Sequence, residues 1–155
     1  MISANLKQWI EIVGGVAIVV SLGLVVIEIR QNTDAVSAQA ISDLNHQANE
    51  SNLAIASSSG LAELLLRASI DPDALSAVDR FRADSFGRGQ FNRVYTAYSF
   101  YQRGIFTEDV YEGWRVMACD LLKHEGPASF WANNRSSENP EFVRDIDSHC
   151  KQPPN

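Results

Sequence analysis

The pattern of apolar and polar positions is dominated by one long apolar run near the N-terminus. From Ile12 to Ile27 there are 16 consecutive uncharged residues, and Ser21 is the only polar side chain among them. At about 1.5 Å per residue this run covers roughly 24 Å, and extending it to Trp9 and Ile29 reaches the roughly 30 Å of a bilayer's hydrocarbon core. The run is apolar on every face, which is unusual for a soluble helix. The pattern therefore predicts a membrane-spanning helix within residues 1–30.

Two other interpretations of this run stay open. It could be the buried core helix of a soluble protein, or the apolar part of a cleaved signal peptide. Val36-Ser37-Ala38 resembles a small-residue cleavage site, but it lies beyond three charged residues, Glu28, Arg30 and Asp34. The segment before the run also carries little positive charge. These features favour the spanning helix.

One side of the predicted helix carries small and polar residues. Gly14, Ser21 and Glu28 are spaced seven apart, and Ala17 lies on the same side. Small residues let two helices approach closely in lipid, and a serine hydroxyl can hydrogen-bond across their interface. We call Gly14, Ala17, Ser21 and Glu28 the anchor face and predict that it mediates self-association. The other interpretation is that small residues are simply common in spanning helices.

The rest of the chain predicts helices. Apolar residues recur at helical spacing and nothing alternates as a strand would. Gly87 and Gly89 interrupt the helix predicted from about Leu75 to Arg103, so we expect a kink or a break there. Helix start and stop signals occur at Ser57-Ser58-Ser59-Gly60, Asp71-Pro72-Asp73, Gly104, Thr107, Pro127 and Asn139-Pro140.

The expected fold class is all-α. An N-terminal transmembrane helix would continue, as a stiff arm, into a small soluble helical bundle. The predicted domains are the anchor over residues 1–30, the soluble helical domain over 31–150 and a frayed tail over 151–155.

The charge of the chain bears on its partners, and its cysteines bear on its compartment. The net charge is −6, and the segment after Arg30 holds 11 basic and 17 acidic residues. An acidic domain argues against nucleic acid, because phosphate binding needs a basic surface. The two cysteines, Cys119 and Cys150, form neither a disulfide framework nor a zinc pattern, so we expect free thiols and a reducing compartment.

Several phrases resemble a family of uncharacterised small bacterial single-pass membrane proteins. They are Ile29-Arg30-Gln31-Asn32-Thr33, Leu61-Ala62-Glu63-Leu64 before Asp71-Pro72-Asp73, Tyr98 to Gly104, Tyr111-Glu112-Gly113-Trp114 and Phe130-Trp131. The family pattern is an apolar N-terminal helix ending in IRQNT, followed by a helical domain with late tryptophans. The resemblance implies the bacterial inner membrane and no known activity. Arginines after IRQNT in relatives imply a cytoplasmic domain, but this chain has Asp34, Ala35 and Ala38 there.

The candidate chemistry is sparse. His46 with Glu50, and Asp120 with His124, are each four apart on a helix and could offer two metal ligands. A metal site needs three or four, so we expect solvated side chains and no metal. Cys119 near His124 would make a poor thiol–imidazole pair, and we expect a core thiol. No phosphate loop or nucleophile elbow occurs, so we predict no catalytic residue and no cofactor.

The densest unusual feature is a set of aromatic residues that could form either a core or a pocket. They are Phe91, Tyr95, Tyr98, Tyr101, Trp114 and Trp131. The leading hypothesis is a membrane-anchored helical domain for protein interaction or self-association. Its partners would be the lipid bilayer and a second copy or another protein. The alternative is a ligand-binding or sensor module with an aromatic-lined pocket, and an enzyme is the least favoured.

Overall fold

The structure is a computed structural model that describes residues 4–151, with side chains from residue 12 onward and that of Trp9. Within this range the chain forms six α-helices, two short 3₁₀ helices and no strand, which confirms the all-α prediction. The α-helices are α1 (Ala4–Ser57), α2 (Ser59–Ile70), α3 (Ala77–Gln102), α4 (Glu108–Leu121), α5 (Glu125–Asn134) and α6 (Pro140–Cys150). The 3₁₀ helices are Pro72–Ala74 and Arg135–Ser137.

Two compact units make up the chain, residues 1–41 and residues 42–155. In the first, the large apolar side chains between Ile12 and Ile29 are between 48% and 69% exposed. The predicted helix over this run is confirmed, and it is long and apolar enough to cross a membrane. The exposure of these apolar side chains does not fit a helix buried in the core of a soluble protein. Of the predicted tail, all but Lys151 lies outside the described residues.

Local capping explains where the helices of the second unit begin. Ser58 accepts a hydrogen bond from the Leu61 N–H at the start of α2. Asn139 accepts hydrogen bonds from the first turn of α6, in which Pro140 is the first residue. Gly104, just after α3, has a φ of 70°, which favours glycine. These start and stop signals are confirmed.

Three sequence-based details are different in the structure. Thr107 precedes α4 as predicted, but its side chain makes no capping hydrogen bond. Helix α5 begins at Glu125, two residues before Pro127, because the chain turns into the helix at His124. We expected a kink or a break at Gly87 and Gly89; helix α3 runs unbroken through both, so the break is wrong. A Cβ at Gly87 would lie 3.5 Å from the Phe130 ring, so close packing of α5 supports the helix at that point.

Helix α3 is the centre of the second unit. It packs against α2, α4 and α5, and α6 packs against α4. The largest fully buried side chains are Tyr111, Phe142, Leu64, Ile146 and Val94. These side chains come from four helices, and their burial supplies the core that holds the helices together.

The two cysteines are joined in a disulfide, so the prediction of free thiols is wrong. Helices α4 and α6 pack along each other and bring the Cα atoms of Cys119 and Cys150 to 5.1 Å, within disulfide range. The cysteines are 31 residues apart in sequence, and only the packing of the two helices makes them neighbours. The bridge removes the basis for assigning a reducing compartment.

Candidate functional site

Five of the six aromatic residues singled out from the sequence join one packed ring cluster in the described part of the chain. Phe91 stacks on Trp131 with ring centroids 4.8 Å apart. Tyr95 and Tyr98 each contact the Phe142 ring, with centroids at 5.3 and 5.4 Å. Tyr101 stacks on Tyr111 at 5.1 Å, and the Tyr98–Tyr111 and Trp131–Phe142 ring contacts join these groups into one cluster. Trp114 is half-buried.

This packing gives the cluster the character of a core. Phe91, Tyr98 and Trp131 are buried, and the Trp131 indole N–H donates to Asp147 Oδ1 at 3.0 Å. The side chains that complete the cluster, Tyr111 and Phe142, were not part of the predicted set. Their signal was the helical spacing of apolar residues in α4 and α6.

A cavity of about 210 Å³ lies beside the ring cluster, between α2, α3 and α5. Phe91 is shared between the cluster and the cavity wall. The apolar part of the wall includes Leu65, Leu75, Phe86, Phe91, Leu121 and Phe130. No local sequence pattern indicates this cavity, because its wall residues come from several separate helices.

Two glycines shape the cavity wall in different ways. A Cβ added to Gly126 would lie 2.4 Å from the Ala68 carbonyl oxygen, so α5 approaches the α2 backbone directly. A Cβ at Gly87 would lie at an ordinary contact distance from Phe130. The close approach at Gly126 therefore sets the spacing of α2 and α5 on one side of the cavity.

The polar side chains of the cavity wall are mostly engaged with other protein groups. Arg80 Nη2 donates to the Pro72 carbonyl and to Asp73 Oδ1. Asn134 Nδ2 donates to the Phe130 carbonyl oxygen at 2.8 Å. Asp84 is different, because the residue is half-buried and its carboxylate has no hydrogen bond or ion pair with any other residue of the described range.

A second, more open cleft lies between α3 and the part of α1 in the second unit, and it contains Arg93. Arg93 is only 8% exposed, and burial lowers the pKa of its guanidinium. Its Nη1 donates to the Gln47 carbonyl at 3.1 Å and to Ser51 Oγ at 2.7 Å, and its Nη2 donates to Gln90. Arg93 therefore ties Gln47 and Ser51 to α3 through neutral acceptors.

A polar network joins α4 to α6. The Tyr111 hydroxyl donates to Asp145 Oδ2 at 2.6 Å, and burial, strengthened by this carboxylate, raises the pKa of Tyr111. Arg115 pairs with Glu112 at 2.8 Å and with Asp145 at 3.5 Å. His149 Nε2 lies 3.1 Å from Glu112. With the disulfide, this network fixes the two helices against each other.

The residues considered for metal or thiol chemistry include His46, Glu50 and Asp120, which form local ion pairs, and Cys119, which forms a disulfide. His46 and Glu50 are 3.5 Å apart on an exposed helix face. The Lys123 ammonium donates to the Asp120 carboxylate at 2.6 Å and lowers its pKa. Cys119 is committed to the disulfide, so a catalytic pair with His124 is excluded and the predicted core thiol is wrong.

The anchor face lies on an exposed part of α1. Gly14, Ala17, Ser21 and Glu28 are all exposed, and space around the Gly14 Cα is open within the described structure. The Ser21 hydroxyl donates to the Ala17 carbonyl at 2.8 Å, which leaves its oxygen able to accept. Self-association through this face stays a prediction.

The chain was compared with protein-family models, with curated proteins and with solved structures, and none of the three comparisons gave a match. The family resemblance drawn from the IRQNT phrase therefore stays a prediction.

Proposed function

We propose that this chain is a single-pass membrane protein in which α1 anchors a helical interaction domain. The observation that carries the proposal is the exposed apolar surface of α1 between Ile12 and Ile29. Twelve large apolar side chains are exposed in this described stretch. At about 1.5–3 kcal/mol for each such side chain, leaving them in water would cost on the order of 20 kcal/mol. A bilayer removes that cost.

The ends of the apolar stretch suit the two membrane interfaces. Trp9 is exposed at one end, and tryptophan favours the headgroup level. Glu28 and Arg30 are exposed at the other end, where water can solvate them. A helix of this kind needs no partner within its own chain, because its backbone hydrogen bonds are internal.

The interaction that the anchor supports best is self-association through the anchor face. The open space at Gly14 would let a second helix approach its backbone. Ala17 and Ser21 extend the same small-residue stripe along the helix, and the Ser21 oxygen is available to a donor on the neighbouring helix. The bacterial inner membrane is the location that the family resemblance implies for this assembly.

Cross-linking of the full chain in membranes tests self-association. Gly14→Leu with Ser21→Leu would obstruct the anchor face, and we expect the cross-linked dimer to fall by about tenfold. The matched control is Gly15→Leu with Gly23→Leu, which also introduces two leucines but on other faces, since helical residues rotate by about 100° each. Equal dimer yields from the two double variants would contradict association through the anchor face.

We further propose that the helical domain faces an oxidising compartment, opposite to the orientation expected from the resemblance. The disulfide between Cys119 and Cys150 supports this orientation, because structural disulfides persist outside the reducing cytosol. The flanking charges do not oppose it, since Lys7 precedes the apolar run and Arg30 follows it.

Protease access and thiol labelling together test the orientation. In spheroplasts of expressing bacteria, added protease should digest the domain, and a maleimide-polymer should label the denatured chain only after reduction. A Cys119→Ser variant, which leaves Cys150 unpaired, is the control and should be labelled without reductant. A protected domain whose two native thiols react without reductant would place it in the cytoplasm and contradict the proposal.

A further inference from the structure

We propose that the cavity between α2, α3 and α5 binds a small apolar molecule that carries one basic nitrogen. The proposal concerns the domain over residues 42–155 and goes beyond membrane anchoring. The cavity is also distinct from the aromatic pocket that the sequence analysis held as an alternative, with whose residues it shares Phe91.

The volume of the cavity sets the size of the ligand. At about 210 Å³ it is larger than the 150 Å³ apolar cavity that is known to hold benzene. One aromatic ring with a short chain, or a branched aliphatic group of similar volume, matches this space. A larger multi-ring molecule would extend out of the cavity.

The wall composition sets the apolar character of the ligand. Phe86 and Phe130 present aromatic surface, and Leu65, Leu75 and Leu121 present aliphatic surface. Burying a ligand's apolar area against these side chains is favourable. Most of the other polar wall side chains already make hydrogen bonds within the protein, which favours an apolar ligand over a polar one.

The carboxylate of Asp84 sets the preference for a basic nitrogen. It lines the cavity, is half-buried and has no hydrogen-bond or ion-pair partner within the described range. A buried or half-buried charge is stabilised by an opposite charge that also donates hydrogen bonds. An ammonium group beside the Asp84 carboxylate would supply both.

The neighbouring arginines are already directed elsewhere. Arg80, one turn before Asp84 on α3, pairs with Asp73 at 2.9 Å. Arg88, one turn after, donates to Asn134 Oδ1 at 3.2 Å and lies over the Phe130 ring. The cavity therefore offers an apolar interior with one unneutralised acidic group, which fits an amine better than a carboxylic acid.

Fluorine NMR of the full chain in phosphatidylcholine nanodiscs tests the proposal. The probes are a ring-fluorinated phenethylamine and the matching phenethyl alcohol, which differ only in the head group. We expect the amine to bind about fivefold to tenfold more tightly than the alcohol. In Asp84→Asn this preference should disappear while alcohol binding is unchanged.

An Ala83→Phe variant controls for partition of the probes into lipid, since Ala83 lines the cavity and phenylalanine would fill it. Circular dichroism verifies its folding, and Leu75→Trp is the replacement filling variant if Ala83→Phe does not fold. If neither probe binds the filled variant, the cavity is supported as the binding site. If the probes bind the native and the filled chains with equal affinity, the proposal that the cavity binds them is overturned. Equal affinity of the native chain for amine and alcohol overturns the role of Asp84.

Discussion

At the scale of single residues, Gly126 is the position where the smallest change has the largest expected effect. The Cβ of an alanine there would lie 2.4 Å from the Ala68 carbonyl oxygen, and a backbone atom cannot move aside cheaply. Gly87 offers a direct contrast, because its Cβ would make an ordinary contact with Phe130 at 3.5 Å.

We therefore expect Gly126→Ala to lower the free energy of unfolding by about 1–3 kcal/mol. Gly87→Ala should leave it unchanged or raise it by up to about 1 kcal/mol, because alanine is the better helix former. Urea unfolding of both variants measures the difference. A Gly126→Ala protein as stable as Gly87→Ala would mean that α5 does not approach α2 this closely.

Tyr111 gives the domain a specific sensitivity to alkaline pH. Its folded-state pKa is raised above the ordinary value of 10.0 by burial and by its hydrogen bond to Asp145, whereas the unfolded chain ionises near that value. The stabilisation is complete below pH 10 and is lost as the pH rises toward the folded-state pKa. Above pH 10 the unfolding free energy should fall by about 1.4 kcal/mol per pH unit from this group.

Comparison with Tyr111→Phe isolates this effect from the other groups that titrate at high pH. The phenylalanine variant should be less stable at neutral pH by about 1 kcal/mol, because it loses the hydrogen bond. Its stability should then decline less steeply above pH 10. Parallel declines in the two proteins would show that Tyr111 ionises equally in the folded and unfolded states.

Residue-level predictions from the sequence succeeded where the cause was local. Serine at position 58 caps a helix because of the turn that immediately follows it. Pairing of Cys119 with Cys150 depends on how α4 and α6 pack, and no local signal carries that information. The engagement of Arg93 by Gln47 and Ser51 depends on tertiary packing in the same way.

At the scale of helices, the start of α6 shows how much one cap can contribute. The Asn139 side chain accepts hydrogen bonds from the N–H groups of Glu141 and Phe142. These donors have no partner within the helix, and Pro140 suits the first helical position. Thr107 occupies the equivalent position before α4 without such a bond.

This contrast predicts different losses of stability when the Asn139 and Thr107 side chains are each replaced by alanine. Asn139→Ala should lower the free energy of unfolding by about 1 kcal/mol, because two N–H groups lose their acceptor. Thr107→Ala should change the free energy of unfolding by less than about half of the loss expected for Asn139→Ala. Thermal unfolding monitored by circular dichroism compares them, and equal losses would indicate that Thr107 also caps its helix in solution.

The expected break in α3 failed because intrinsic propensity was outweighed by packing. Two glycines cost roughly 2 kcal/mol in an isolated helix. In the folded domain, Gly87 is buried beneath the Phe130 ring, and the contacts of α3 with three other helices keep it helical. Helix propensity alone cannot predict this outcome, because the compensating contacts come from α5.

At the scale of the whole molecule, the fold class and the apolar helix were predictable, whereas the cavity was not. A long uncharged run lies within one segment of the sequence, so its length and composition suffice to predict the apolar helix. The cavity wall draws on residues from Leu65 to Asn134. Part of its shape follows from the spacing of α2 and α5, which the close approach at Gly126 sets on one side.

The division of the molecule also has a thermodynamic consequence. Residues 42–155 have their own core and a disulfide, whereas the apolar stretch of α1 has no burial within the described chain. The stability of the domain therefore comes from its own packing, whereas under the anchoring proposal the location of the chain comes from α1. These two properties can be altered separately by substitution.

Extraction of membranes at alkaline pH is the most direct test of the proposal that α1 is a membrane anchor. The full-length chain, expressed in bacteria, should stay in the membrane pellet after a carbonate wash, at the mass of the intact sequence. A soluble product cleaved after Ala38 would make the apolar run a signal peptide. A soluble chain of full mass would mean that this run is covered by protein, and the anchoring proposal would be wrong.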